Sequence, residues 1–189
     1  LENEAADALV KIGGERITRL TFTTTGTEAV HLANRIVRAK TGRKLIAKSV
    51  GGYDGWFEEV RFGLVNSPET ARTNERPVRS DVTLLRVNDM DDLTSLFATY
   101  GDDLAAVLIE PLLGNTACLK PEREWVEMLN SLAAKHGVMI ISDEVMAGLR
   151  QGFGLVADTI GLKPDLVTMG KAIGTGVPVA AVLGTNDAF

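Results

Sequence analysis

An α/β fold with a mostly parallel mixed sheet, flanked by helices in three layers, is what this sequence predicts, and three observations predict it. Strand-length apolar runs alternate with helix-length amphipathic segments, the pattern of a sheet covered by helices. One run, Ala105 to Ile109, is apolar throughout and reads as a fully buried strand. Two others end abruptly in charge: Met139-Ile140-Ile141 runs into Ser142-Asp143-Glu144, and Leu166-Val167-Thr168-Met169 runs into Gly170-Lys171. In open α/β sheets ligands sit outside the carboxyl ends of strands. An acid and a lysine delivered there together point to a cofactor site.

Composition bounds the partners. The 189 residues are 45% hydrophobic and 24% charged, ordinary globular values with apolar material for one core, so one domain is the default. A net charge of −5 without a basic stripe lacks the footprint of a nucleic-acid binder. Apolar runs such as Leu104 to Ile109 fall well short of the roughly 18 residues of a membrane span, and no signal-peptide pattern opens the chain. The single cysteine, Cys118, cannot form an internal disulfide, which fits a reducing cytosol; we read it as a buried small hydrophobe. No metal is called for. Because the chain starts at Leu1 instead of Met and stops at Phe189, we expect a piece of a longer protein.

In order, Ala5, Ala6, Leu9, Val10 and Ile12 predict a helix that Gly13-Gly14 interrupts, and Thr18 to Thr24 a strand. Thr25-Gly26-Thr27-Glu28 matches a capping box, followed by a helix with Ala29, Ala33, Ile36 and Val37 on one face and Gly42 at its end. A helix beginning at Gly26 or Thr27 offers free N–H groups to an anion. Locally, an ordinary well-capped helix explains the same residues. Lys44 to Ser49 predicts a strand, then a loop of glycines around Tyr53 and Trp56 that either carries a ring to a ligand or buries it. Val60 to Asp81, with Pro68 and Pro77, reads as a long surface excursion. Val82 to Val87 is a strand, and Met90 to Tyr100 a helix with Leu93, Leu96 and Phe97 inward. Pro121 is expected at the first position of a helix whose Trp125, Met128, Leu129, Leu132 and Ala133 share a face, with Lys135 and His136 at the negative end before Gly137. His136 and His31 therefore have structural explanations. After Asp143-Glu144 comes a polar, glycine-rich connection, then Leu166 to Lys171 and a last strand, Ala180 to Leu183.

An acid and a lysine at strand ends, a helix-start anion site and an aromatic loop are together the parts that pyridoxal 5'-phosphate requires. Its phosphate suits a helix N-terminus, its aldehyde a lysine, and its ring nitrogen a carboxylate. In this order they resemble the class III (ω-type) aminotransferase family of pyridoxal-phosphate enzymes, in particular its glutamate-1-semialdehyde aminomutase branch. The resemblance rests on Thr25-Gly26-Thr27-Glu28-Ala29, Gly52-Tyr53-Asp54-Gly55, Glu110-Pro111 with Gly114-Asn115, Asp143 to Gly148, and Pro164-Asp165-Leu166 leading to Gly170-Lys171, and it spans the chain from about Phe22 onward. The spacing of Asn115, Asp143 and Lys171, 28 positions each time, is also similar to that branch.

The resemblance implies the type I fold, with residues 1–189 as a partial cofactor-binding large domain containing a seven-stranded mixed sheet. It implies that Lys171 forms the Schiff base and shuttles the proton, Asp143 pairs with the ring nitrogen, and Thr25, Gly26 and Thr27 lie at the phosphate. Tyr53 would stack on one ring face, Val145 pack on the other, Asn115 lie near the ring hydroxyl, and Glu110 support the site from behind. It further implies a cytoplasmic homodimer whose cofactor site borrows residues from the partner subunit, acting on an amine or amino acid and a keto or aldehyde substrate. The family's N-terminal segment and small C-terminal domain are both expected to lie outside these residues, leaving them inactive or nearly so alone. The chain departs from the family in three places: Thr25 replaces the usual Ser, Asp54 the usual His after the stacking aromatic, and Met146 the Gln of most ω-transaminases. Met146 points to the aminomutase-like branch, whereas Asp54 breaks a motif, so general amino transfer is placed ahead of aminomutase activity. Two other readings are a nucleotide-binding module using Gly174-Thr175-Gly176 and a non-catalytic scaffold fragment.

Overall fold

The computed structural model describes residues 2–65 and 76–189. In chain order the elements are α1 (Glu2–Ile12), β1 (Arg19–Thr23), α2 (Gly26–Thr41), β2 (Leu45–Ser49), β3 (Val78–Arg79), β4 (Val82–Leu85), α3 (Met90–Tyr100), β5 (Leu104–Ile109), α4 (Arg123–His136), β6 (Met139–Asp143), α5 (Val156–Ile160), β7 (Leu166–Met169) and β8 (Ala180–Gly184). The strands form one sheet in the order β1-β8-β7-β6-β5-β2-β4-β3. From β4 through β2, β5 and β6 to β7 the pairing is parallel. β8 runs antiparallel to both neighbours, and β3 is a two-residue antiparallel edge on β4. Without β3 the sheet has the seven expected strands.

Helices cover both faces. Alternate strand residues point to opposite sides, so Ile140 joins Leu93, Phe97, Trp125 and Leu129 of α3 and α4, while Ile141 joins Ala29, Val30, Ala33 and Val37 of α2. The sheet order reverses between β5 and β2, since successive strands are laid down to either side of that line. A crevice therefore opens at the carboxyl ends of β2, β5, β6 and β7.

The capping box forms: Thr25 Oγ1 accepts the Glu28 N–H at 3.1 Å, and Glu28 Oε2 accepts the Thr25 N–H at 3.1 Å. At the other end Gly42 takes the left-handed conformation, φ +70°. Leu93, Leu96 and Phe97 are buried on α3 as expected.

Several expectations need correction. Pro121 lies before α4, whose N-cap is Glu122; Asn88 bonds the Lys120 carbonyl at 3.1 Å and the Glu122 N–H at 2.8 Å, tying this stretch to a neighbouring loop. Cys118 is exposed, at φ +57° beside Ala117 at φ +54°, on the turn closed by the Leu113–Leu119 bridge. In the segment read as a surface excursion, Val60 and Phe62 are core residues and Val78–Arg79 pairs with β4; Pro68 lies outside the described residues. The polar connection after Glu144 contains α5. Gly174-Thr175-Gly176 leads into β8 and not into a helix, which removes the context a dinucleotide-binding turn needs.

Candidate active site

At the carboxyl edge the structure gathers Gly26, Thr27, Tyr53, Asn115, Asp143, Val145 and Lys171 around a cleft of about 440 Å³, with Asp54, Gly55, Glu110 and Met146 completing its wall. Of the expected site residues, only Thr25 stands back from it, occupied as the α2 cap. Gly26 and Thr27 open α2, and their N–H groups have no partner among the described residues. A Cβ on Gly26 would lie 2.6 Å from Val145 Cγ1, and one on Gly170 would lie 3.3 Å from the same atom. Val145 therefore fills the angle between the start of α2 and the residue before Lys171. Gly55 has φ +116°, and a Cβ there would come within 3.2 Å of the Thr27 Cα, so glycine lets the aromatic loop reach the helix start.

Asp143 ends β6 and is buried. Its Oδ1 accepts the Val145 N–H and the Thr168 hydroxyl, both at 2.9 Å. Burial raises its pKa well above the usual carboxylate range, the Asp54 charge adds to that, and the two hydrogen bonds oppose it. Its neighbour Glu144 faces away from the cleft, where Oε2 and Oε1 accept the N–H groups of Val156 and Ala157 at 2.8 and 2.9 Å. Lys171 follows β7, exposed, at φ +40° on the first residue of a single 3₁₀ turn. A non-glycine residue there is strained.

Glu110, beyond β5, joins two loops. Oε1 accepts the Tyr53 N–H at 2.8 Å and Oε2 the Gly114 N–H at 3.1 Å, which fixes Tyr53 and the residue before Asn115 through one carboxyl group. Burial, and then the charge of Asp54, raise its pKa to about 7. The aromatic loop is also held from beneath: Lys48 Nζ lies 3.1 Å from Asp54 Oδ2 and donates to the Gly52 carbonyl at 2.8 Å. Both side chains are fully buried, and burial raises the Asp54 pKa against the pull of Lys48. A larger groove of about 590 Å³ between Val50, Met90 and Leu119 contains none of these cleft residues.

A family model described as aminotransferase class-III matches residues 2–189. The chain belongs to that family. Among curated relatives, the glutamate-1-semialdehyde 2,1-aminomutase of Thermoplasma acidophilum is 37% identical over 185 residues, covering 95% of this chain and 44% of that protein. The one from Symbiobacterium thermophilum is 39% identical over 175 residues, covering 89% and 40%. The chain thus spans less than half the length of these relatives. An omega-transaminase from Sphaerobacter thermophilus superimposes with TM-score 0.90 at 32% identity, over 99% of this chain and 45% of that one. A transaminase with PLP bound gives TM-score 0.86 at 31% identity, over 99% and 45%.

Sequence reasoning about this class-III chain missed the Lys48–Asp54 pair, the clamp of Glu144 on α5 and the Thr168 hydroxyl behind Asp143. Lys48 left one signal. A lysine closing the apolar run Leu45-Ile46-Ala47 in a central strand has to be paired, because an unpaired buried ammonium is unstable.

Proposed function

We propose that these residues form the cofactor-binding part of a pyridoxal-phosphate-dependent enzyme that transfers an amino group. The observation that carries the reading is the delivery of Asp143 and Lys171 to one cleft, with the free N–H groups of α2 on its wall. The residues fit the cofactor. Gly26 and Gly55 leave a cradle that Cβ atoms would fill, and among the described residues the hydrogen bonds to the buried Asp143 carboxyl come only from neutral groups. Gly26 and Thr27 would hold the phosphate, Tyr53 and Val145 the two ring faces, Asn115 the ring hydroxyl, Asp143 the ring nitrogen and Lys171 the aldehyde. Bound there, the cofactor supplies an electron-withdrawing ring that stabilises charge on the carbon bearing the substrate amine.

The chain's own contribution is placement. Asp143, fixed by Val145 and Thr168, would keep a proton on the ring nitrogen, and Lys171, exposed at the cleft mouth, would be the base that moves the substrate proton; Glu110 holds the two loops at either side. An amine or amino acid and a keto or aldehyde compound are the substrates of this reading. A homodimer belongs to it too, supported by the exposed Tyr53 at 46% and Trp56 at 71% in the aromatic loop. A cytoplasmic location is carried over from the family resemblance.

A spectrum of the full-length protein titrated with pyridoxal 5'-phosphate tests this. An absorption shift on binding, giving way to a shorter-wavelength band when an amino donor is added, is the expected outcome, and its absence would refute the proposal. Aminomutase activity is the second reading, favoured by the curated relatives and by Met146 after Val145. It is tested by supplying glutamate-1-semialdehyde alone: conversion to an isomeric amino ketone without any added keto acid would establish it, and strict dependence on a second substrate would remove it.

A further inference from the structure

Three carboxyl groups, Asp54, Glu110 and Asp143, are buried around one cleft, with Lys48 the single buried ammonium beside them among the described residues. Lys48 is committed to the loop side, since besides Asp54 Oδ2 it reaches the carbonyl oxygens of Gly52 and Phe62. Asp54 Oδ1, in contrast, has no hydrogen-bond partner among the described residues, and the fully buried side chain lies behind the part of the cleft wall that its residue forms. Glu110 takes two backbone N–H groups, and Asp143 a backbone N–H and a hydroxyl. Among the described residues, the other ionisable groups that line the cleft are Tyr53 in the loop and Lys171 after β7, both on the exposed rim. Fully ionised, the cluster would hold two negative charges beyond what Lys48 offsets, away from water. Buried groups relieve such an excess by binding a proton. The Asp54 charge acts on both other acids in that direction.

We propose that Asp54 makes this cleft a proton-loaded cation receptor: Asp54, Glu110 and Asp143 share one proton while no cation is present, and release it when a protonated heteroaromatic ring or an ammonium group settles beside Asp143. The balance is simple. One carboxylic O–H breaks, its proton goes to solvent, and the carboxylate left behind faces the entering cation. Asp54 is a positioning residue in this scheme, acting through the charge state of Asp143 and Glu110. The identity of the cation rests on the proposed function; the proton count does not.

The test uses the full-length, cofactor-free protein and the infrared carbonyl stretch of protonated carboxyl groups near neutral pH. Difference spectra against Asp54→Asn separate this proton from those on other buried acids such as Glu144. The wild type should show the acid band, and Asp54→Asn, which removes one acid and keeps Lys48, should lose it. The double variant Lys48→Met with Asp54→Asn removes acid and cation together, so the band should return; this variant also avoids an unpaired buried lysine that could unfold the single one. Calorimetry with pyridoxamine 5'-phosphate, which cannot condense with Lys171, in buffers of different ionisation heat should show the wild type releasing about one proton more than Asp54→Asn. A full acid band in Asp54→Asn, or none in the wild type, overturns the inference. The expected band pattern without any binding of pyridoxamine 5'-phosphate supports it and sinks the proposed function instead.

Discussion

Lys171 combines exposure, a left-handed backbone at φ +40° and a place on the cleft wall, the marks of a residue held in an unfavourable conformation for use. Reduction of the pyridoxal-phosphate complex with borohydride, followed by peptide mass analysis, is expected to put the pyridoxyl group on Lys171; a label on Lys163 or Lys120 would overturn that role. Glu110 gives a pH-dependent outcome. Its pKa of about 7 in the folded protein exceeds the ordinary 4.5, so between those values the folded state binds the extra proton. Stability from this group is present below pH 4.5 and is lost as pH rises to about 7, on the order of 3 kcal/mol in full. Thermal melts across this window should therefore fall with rising pH, and Glu110→Gln should flatten the slope by about one proton. An unchanged slope in the variant would show that Glu110 titrates normally. These electrostatics were hidden in the sequence because they depend on burial and on Asp54, which lies 56 positions from Glu110.

Among the elements, α5 shows why some of the fold could not be read in advance. Val156–Ile160 is only five residues long, and its N-cap, Leu155, supplies no side-chain hydrogen bond. The groups that satisfy it come from Glu144, 12 and 13 positions upstream, so no local capping signal existed. Helix α2, by contrast, carries its complete capping box within four residues and was legible from Thr25-Gly26-Thr27-Glu28 alone. Glu144→Ala would leave the Val156 and Ala157 N–H groups buried without partners, an expected loss of about 1–3 kcal/mol in urea unfolding. A cost within error of zero would mean that α5 is held by packing only. Strand ends were legible for a related reason: the switch from apolar residues to Asp143-Glu144 or Gly170-Lys171 is abrupt and local.

For the molecule as a whole, the cleft residues assigned above to the proposed cofactor lie within residues 1–189, while the longer relatives show that chains of this family extend well beyond this length. Residues 1–189 expressed alone are expected to bind pyridoxal 5'-phosphate weakly and to turn over little, because near-attack positioning of substrate is worth on the order of 7–11 kcal/mol and needs walls on all sides. Turnover by this piece equal to that of the full-length protein would contradict the expectation. The exposed rings of Trp56 and Phe153, at 71% and 77%, should also make it self-associate in sedimentation experiments. The antiparallel insertion of β8 has a consequence for biosynthesis. β1 is a sheet edge whose neighbour is β8, with Arg19 opposite Gly184 and Thr23 opposite Ala180, so the strand that aims α2 at the cleft is made early and paired late. On the ribosome, the parallel strands β2 and β4 to β7 can assemble first, whereas the start of α2 reaches its place at the cleft only when nearly all of this stretch has emerged. On the proposed function, cofactor capture is then a late checkpoint of synthesis, closed to any nascent chain that stalls before Ala180.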